Sequence, residues 1–360
     1  MASVRPMIQL AARQRVALRA PSLRCYATAS DVKNPRPASN NHIRLVEVGP
    51  RDGLQNEKKS ISRETKTELI NRLTKAGLTT IEAGSFVSPK WVPQRISAPA
   101  PVTYSFLAPN AKGLENAKAI LEEHTGSYLT QAETLAGTDK TGRPGVELAV
   151  FAAATESFSQ KNLNCSIATS LERFAPVIQG AKNMGLRARA YISVVLGCPF
   201  EGHDVDPHKV AEIATSLLEM GADEISLGDT TGMGTAPRTQ ELLRCMAAAG
   251  IRNEDVAMHF HDTYGQALVN TAISLEHGIR TFDSSVGGLG GCPYSPGATG
   301  NVATENMVYF LESLGMDTGV NLDAVADIGD WITKEIGKPN DSAVGKAVLG
   351  MRRNAAMKDV

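Results

Sequence analysis

The chain contains 360 residues, of which 42% are hydrophobic and 21% charged, and its formal net charge is −1. This composition is typical of a soluble globular protein with one large α/β domain or two ordinary ones. Because no apolar run reaches the roughly 18 residues of a membrane span and no basic stripe is present, we expect neither a membrane nor a nucleic acid as partner.

The first 26 residues are rich in arginine and contain no acidic residue. Apolar residues are spaced among the arginines as on an amphipathic helix, and the continuous apolar core of a secretory signal is missing. Residues 1–26 therefore predict a mitochondrial transit peptide and a location in the mitochondrial matrix. A disordered basic tail is the alternative. The polar residues 27–42 are interpreted as a linker.

Short β-branched or apolar runs alternate with helical patterns along the rest of the chain. Strands are predicted at about 43–48, 80–83, 102–107, 147–152, 189–195, 224–228, 256–260 and 281–286. Helices are predicted at about 63–76, 111–123, 168–184, 207–220, 237–249, 265–277 and 302–314. Roughly eight parallel βα units predict a (β/α)8 TIM barrel over residues 43–335, followed by a C-terminal tail or helix at 336–360. A doubly wound sheet is the alternative, but no GxGxxG motif follows the first strand.

Polar residues collect at the predicted C-terminal ends of the strands, where barrel enzymes place their active sites. They are Arg51 and Asp52 after the first strand, Glu82 on the second, Asp229 and Thr230 after the sixth, His259 and His261 on the seventh, and Asn301 beyond the eighth. Each of these residues could instead have a purely structural role, because Glu82 or Asp229 could pair with an arginine and Asn301 could cap a helix. Their joint occurrence favours a functional site.

Two histidines separated by one residue suggest a metal site. His259 and His261 share one face of their predicted strand, because successive side chains of a strand point to opposite faces. Two buried imidazoles could also be satisfied by ordinary hydrogen bonds. With Asp52 and Asn301, however, they offer two imidazoles, a carboxylate and an amide oxygen without a thiolate. This set suits Mg²⁺ or Mn²⁺ better than a closed structural zinc site, although zinc could substitute.

The cysteines do not form a disulfide framework or a zinc motif. Cys165, Cys198, Cys245 and Cys292 are scattered without CxxC spacing, as expected in a reducing compartment. Cys292 differs from the others because it lies in the glycine-rich segment VGGLGGCPYSPG, which predicts a thiol on a mobile loop. The sequence alone leaves open whether this thiol takes part in a reaction or has no catalytic role.

Several segments resemble the 3-hydroxy-3-methylglutaryl-CoA lyase family, and the resemblance extends over about residues 43–335. They include VGPRDGLQNE (48–57), HFHDTYGQA (259–267) and SSVGGLGGCPYSPGATGN (284–301). The resemblance implies a metal-dependent, retro-Claisen cleavage of (S)-3-hydroxy-3-methylglutaryl-CoA to acetyl-CoA and acetoacetate, in leucine degradation and ketone-body formation. It also implies an acyl-CoA substrate and a homodimer.

The resemblance assigns roles to individual residues. The metal ligands would be Asp52, His259, His261 and Asn301, of which Asp52 and His259 would also act in catalysis. Arg51 would bind the substrate and neutralise the thioester enolate, and Cys292 would transfer a proton. Glu82 and Asp229 match further acids of the catalytic pocket, and Glu305 matches an acid that supports the thiol loop.

Two segments depart from the family pattern. Between the second and third strands, prolines 93, 99 and 101 leave no room for the expected outer helix, which predicts a poorly stable chain. An insertion at about 126–145 precedes the fourth strand and is expected on the N-terminal face, away from the chemistry. A Claisen-condensing synthase and a non-catalytic barrel that only binds ligand are the alternative functions. The family motif RDGLQNE, where related synthases have a sequence closer to RDGEQ, disfavours the first. The complete set of site residues disfavours the second.

Overall fold

Eight parallel strands form a closed barrel in the computed structural model, which describes residues 41–55, 57, 60–87, 102–123, 145–291 and 300–358. The strands are β1 (Arg44–Glu47), β2 (Thr80–Ser85), β3 (Thr103–Leu107), β4 (Gly145–Ala153), β5 (Arg187–Ser193), β6 (Glu224–Asp229), β7 (Val256–Phe260) and β8 (Thr281–Ser284). Each strand pairs with its neighbour in the chain, and β8 closes the barrel against β1. The predicted (β/α)8 barrel is therefore confirmed, and the doubly wound alternative is wrong.

All seven predicted helices are present, and three more occur in the described segments. The helices are α1 (Arg63–Lys75), α2 (Ala111–Glu123), α3 (Glu156–Leu163), α4 (Ile167–Asn183), α5 (Pro207–Glu219), α6 (Ala236–Ala248), α7 (Ala267–Glu276), α8 (Thr304–Ser313), α9 (Leu322–Ile336) and α10 (Ala343–Lys358). Several of these helices have a side chain that caps the N-terminus. Ser62, for example, accepts the Thr65 N–H before α1, and Asn321 accepts the Ala324 N–H before α9. No helix among the described residues is long and apolar enough to span a membrane.

The helices α3, α9 and α10 were not among the predicted helices. α9 and α10 contact each other and α8, and α9 also contacts the turn that follows β8. They begin after the eighth βα unit, so the barrel pattern gives no reason to expect them. α10 corresponds to the helix alternative for residues 336–360. The predicted transit peptide, the prolines between β2 and β3, almost all of the 126–145 insertion, and Cys292 lie outside the described residues.

Candidate metal centre

The turn after β1 carries two adjacent charged residues of the site. Gly49–Gly53 forms a single wide turn in which the Gly53 N–H donates to the Val48 carbonyl. Arg51 and Asp52 lie in this turn, with Arg51 Nη1 3.1 Å from Asp52 Oδ1. Burial opposes ionisation of Asp52, but Arg51, the two nearby histidines and an Asn301 hydrogen bond outweigh it and lower the pKa of the carboxyl. Asp52 therefore presents a carboxylate at neutral pH.

Asp52, His259 and His261 lie together at one end of the barrel. Each offers one possible ligand atom, and these three atoms lie within 4.8 Å of one another. The alternation of strand β7 brings both imidazoles to the same side, as predicted. Burial and the neighbouring His259 lower the pKa of His261 to about 3, so its imidazole is neutral, the form that ligates metals. The predicted clustering of these three residues is confirmed.

Asn301 completes the arrangement from the strand-like segment after the glycine-rich loop. Its backbone forms an isolated β-bridge with His261. Its Nδ2 donates to Asp52 Oδ2 at 2.8 Å and to the Leu289 carbonyl at 3.1 Å. Asn301 Oδ1 and His261 Nδ1 are buried and have no hydrogen-bond partner within the described part of the chain. Buried acceptors of this kind are normally satisfied, so the donor set fits a divalent cation.

Asp283 of β8 orients the imidazole of His259. Its Oδ2 lies 3.1 Å from His259 Nδ1 and accepts the Ser226 hydroxyl at 2.8 Å, and its Oδ1 lies 2.5 Å from Arg189 Nη2. Burial disfavours the charged imidazole, but the hydrogen bond and charge of Asp283 raise the pKa of His259 overall. With Nδ1 fixed by Asp283, Nε2 is the nitrogen free to ligate a metal.

Arg189 continues this contact into the barrel interior. Its guanidinium is fully buried and also lies 3.0 Å from Glu224, which pairs with Arg44 near the opposite end of the barrel. Buried charges are stable only when they are paired, so this network is expected to hold Asp283 rigidly.

Glu82 fixes the position of Arg51. Its Oε2 lies 2.7 Å from Arg51 Nη2, and both side chains are almost completely buried. Burial raises the pKa of Glu82, and the contact with Arg51 offsets part of this effect. The guanidinium carbon also lies 5.2 Å from the centre of the Phe151 ring. Glu82 therefore acts on the site through Arg51, and its role as a catalytic acid stays a prediction.

Asp229 is buried at the end of β6, between Gly228 and Thr230. Its Oδ2 accepts the Gly234 N–H at 2.9 Å, so the carboxyl group fastens the loop that follows the strand. Burial raises its pKa to about 7. The neighbours Gly228 and Thr230 line the cleft beside the histidines.

Glu305 contacts the base of the glycine-rich loop from the first turn of α8. Both of its carboxylate oxygens accept the Gly287 N–H, at 3.0 and 3.1 Å. Burial raises its pKa to about 8. Glu305 therefore lies where it could support the loop, and this role stays a prediction.

An open cleft of about 870 Å³ lies above the candidate metal ligands. Its lining includes Asp52, His259 and His261, together with the rings of Phe151 and Tyr191, which stack with their centres 4.7 Å apart. Charged and apolar surfaces therefore meet in one concave site, as ligand pockets require.

Comparison with known proteins agrees with this geometry. The HMGL-like family profile matches residues 42–332. The chain belongs to the HMGL-like family. This HMGL-like chain is 51% identical over 317 residues to the 3-hydroxy-3-isohexenylglutaryl-CoA/hydroxymethylglutaryl-CoA lyase of Pseudomonas aeruginosa, covering 85% of this chain and 97% of that protein. It is 44% identical to the mitochondrial hydroxymethylglutaryl-CoA lyase of Mus musculus, covering 91% and 94% of the two chains.

A solved structure shares the HMGL-like barrel. The crystal structure of hydroxymethylglutaryl-CoA lyase from Pseudomonas aeruginosa matches with a TM-score of 0.75 and 50% identity, covering 86% of this chain and 98% of that one. The family resemblance inferred from the sequence motifs is therefore confirmed.

Asp283 and Arg189 of this HMGL-like chain were not among the site residues predicted from the sequence. Asp283 is 24 residues from His259 in the chain and 94 residues from Arg189, so no local spacing reveals their contacts. A signal was nevertheless present. Arginine and aspartate within RAYIS and TFDSS interrupt predicted barrel strands, and charged side chains there must be paired or exposed.

Proposed function

We propose that the protein cleaves (S)-3-hydroxy-3-methylglutaryl-CoA to acetyl-CoA and acetoacetate. The single observation that carries the proposal is the convergence of Asp52, His259 and His261 in one cleft of an HMGL-like barrel, with Arg51 beside them. The similar proteins are lyases of hydroxymethylglutaryl-CoA and a related CoA ester, which supports an acyl-CoA substrate for this chain. The related Claisen-condensing reaction would need a second, 2-oxo acid substrate.

The residues divide the chemistry between them. Asp52, His259, His261 and Asn301 would hold a divalent cation, proposed to be Mg²⁺ or Mn²⁺. When bound, this ion supplies a Lewis acid beside the substrate hydroxyl and carbonyl. Asp52 and His259 both line the cleft, and we assign acceptance of the hydroxyl proton to the Asp52 carboxylate, because Nδ1 of His259 contacts Asp283 and its Nε2 would hold the ion. Loss of that proton lets the carbon–carbon bond break, with its electron pair passing to the acetyl-CoA fragment as an enolate.

Arg51 stabilises the enolate as its charge develops. The guanidinium is held by Glu82 and Asp52, so it needs little reorganisation during the reaction. The enolate then takes up one proton to give acetyl-CoA. We assign the donation of this proton to the thiol of Cys292 on the basis of the family resemblance, with Asp229 and Glu305 bracing the neighbouring loops.

Several wider properties rest on the family resemblance and the N-terminal sequence. We propose that residues 1–26 direct the chain to the mitochondrial matrix, where the reaction would serve leucine degradation and ketone-body formation. Import and cleavage of a reporter fused to residues 1–26, in isolated mitochondria, tests this location. We also propose a homodimer, which the molar mass in solution tests.

The function is tested with purified residues 27–360 and 3-hydroxy-3-methylglutaryl-CoA, in Mg²⁺ or in excess chelator. We expect acetyl-CoA and acetoacetate in equal amounts, measured by mass spectrometry, and only when the metal is present. A folded protein that gives no product with this substrate would overturn the proposal. Consumption of acetyl-CoA together with a 2-oxo acid would then favour a synthase.

A further inference from the structure

Glu47, the last residue of β1, is a buried carboxyl group that receives three hydrogen bonds. Its Oε1 accepts the Gly49 N–H at 3.0 Å and the Val286 N–H at 2.9 Å. Its Oε2 accepts the Thr304 hydroxyl at 2.6 Å. The side chain is fully buried, so water does not compete for these contacts.

Each of the three donors belongs to a segment that carries a candidate site residue. Gly49 opens the turn that contains Arg51 and Asp52. Val286 lies at the base of the glycine-rich loop, where Glu305 binds the next amide, that of Gly287. Thr304 begins α8, three residues after Asn301. Two buried carboxyl groups thus bind consecutive amides of the loop, but only Glu47 also binds the turn of Asp52.

The neighbours of Glu47 pack closely around its carboxyl group. A Cβ atom placed on Gly49 would lie 2.5 Å from Glu47 Oε1, so the carboxyl group occupies the space that a side chain there would need. The Thr304 hydroxyl also lies 2.9 Å from the Ser284 hydroxyl. A shorter acid at position 47 would therefore lose at least one of its three donors.

We propose that Glu47 is a positioning residue for the proposed lyase reaction, which fixes the Asp52 turn relative to Asn301 and the base of the glycine-rich loop. The proposal rests on the proposed function for its effect on turnover. Its effect on metal affinity does not need that function, because Asp52 and Asn301 are both candidate ligands.

The test compares Glu47→Asp with Glu47→Gln in the full chain. The aspartate keeps the charge but is shorter, whereas the glutamine keeps the length, two acceptor contacts on its oxygen, and an amide N–H for the Thr304 hydroxyl. We expect Glu47→Asp to lower both Mn²⁺ affinity and kcat by about tenfold or more, with KM changed less. We expect Glu47→Gln to stay within about threefold of the original chain.

Glu147→Asp is the matched control. Glu147 is equally buried, but it pairs with Arg187 near the N-terminal end of β4. Its shortening should lower the melting temperature without changing Mn²⁺ affinity, which calorimetry measures on chelator-stripped protein. Equal losses in Glu47→Asp and Glu147→Asp would overturn the proposal, as would a loss in Glu47→Gln as large as in Glu47→Asp.

A milder pair of variants keeps the test decisive if Glu47→Asp does not fold. Thr304→Val removes one donor to Glu47, and Thr304→Ser restores the hydroxyl. We expect lower Mn²⁺ affinity in the first and recovery in the second, and equal affinities would overturn the proposal. If the original chain binds Mn²⁺ but cleaves no substrate, the proposed function fails while the affinities still decide the role of Glu47.

Discussion

At the scale of single residues, the contact between Asp283 and His259 determines which imidazole nitrogen faces the candidate metal. Asp283 also neutralises Arg189, so it links a candidate ligand to the buried charge network. Residues that orient a ligand typically change metal affinity by about 10- to 100-fold when they are replaced. The site therefore depends on side chains that never reach the cleft.

We predict that Asp283→Asn lowers Mn²⁺ affinity by about 10- to 100-fold. The amide keeps the shape of the side chain, but it removes the charge that holds both His259 and Arg189. Leaving Arg189 short of a partner should also destabilise the fold by about 3 kcal/mol. Calorimetry on chelator-stripped protein measures the affinity, and denaturant unfolding measures the stability.

Asp223→Asn is the control for this change. Asp223 lies outside the site. It forms an ion pair with Lys182, 2.8 Å away, and accepts a hydrogen bond from the Ala188 N–H. The Asp223→Asn protein should be somewhat less stable than the original chain and should bind Mn²⁺ with the same affinity. If Asp283→Asn binds Mn²⁺ as tightly as the original chain, then Asp283 does not orient the ligand.

At the scale of elements, the first turn of α8 carries a carboxyl group whose ionisation opposes folding. Burial raises the pKa of Glu305 to about 8 and that of Glu47 to about 7. Because both values lie above those of the unfolded chain, the folded state binds more protons between about pH 4.5 and 8. Their contribution to stability is therefore complete below about pH 4.5 and is lost as the pH rises towards 8.

We predict that the free energy of unfolding decreases less in Glu305→Gln than in the original chain between pH 5 and 8.5. The difference between the two decreases should be on the order of a few kcal/mol. Glutamine cannot ionise, yet its oxygen can still accept the Gly287 N–H. Urea unfolding at several pH values measures the difference between the two chains. The contributions of the other titrating groups to stability are the same in both chains and cancel. Parallel curves for the two chains would show that the pKa of Glu305 does not differ between the folded and unfolded states.

The elements also show which parts of the structure the sequence could predict. Strands and helices of the eight βα units follow from hydrophobic periodicity, which depends on residues close together in the chain. α9 and α10 have helical patterns too, but the barrel rule provides no place for them. Contacts such as those of Glu47 with Val286 and Thr304 join residues more than 200 positions apart, so only the closed barrel reveals them.

For the candidate site, the sequence predicted which candidate ligands lie together, but not the residues that position them. His259 and His261 share a strand, and Asp52 follows another strand at the same rim, so parallel topology alone brings them together. The pairing of Asp283 with Arg189 depends on which side chains face inward across the barrel, and periodicity does not specify partners.

At the scale of the whole molecule, the connection between β2 and β3 bears on stability. The described ends of this connection are well anchored: the Phe86 N–H donates to the Leu107 carbonyl, and Asn116 of α2 donates to the Phe86 carbonyl at 2.8 Å. Phe86 and Phe106 pack with ring centres 5.1 Å apart. The proline-rich residues between these ends are predicted to lack the outer helix of the family, which would cost burial of apolar barrel surface.

We predict that restoring a helix between β2 and β3, taken from a relative in the family, raises the melting temperature by about 5–10 °C. Burying the outer surface of two strands should contribute several kcal/mol, and each kcal/mol raises the midpoint by about 1–2 °C in a chain of this size, because the entropy of unfolding is about 2.1 cal/mol/K per residue. Calorimetry measures the midpoints of the original and restored chains side by side. As a matched control, shortening the 126–145 insertion should leave the midpoint nearly unchanged if this segment is the surface loop that the sequence predicts. A melt of the original chain as sharp and high as that of the restored one would show that residues between β2 and β3 already cover the barrel.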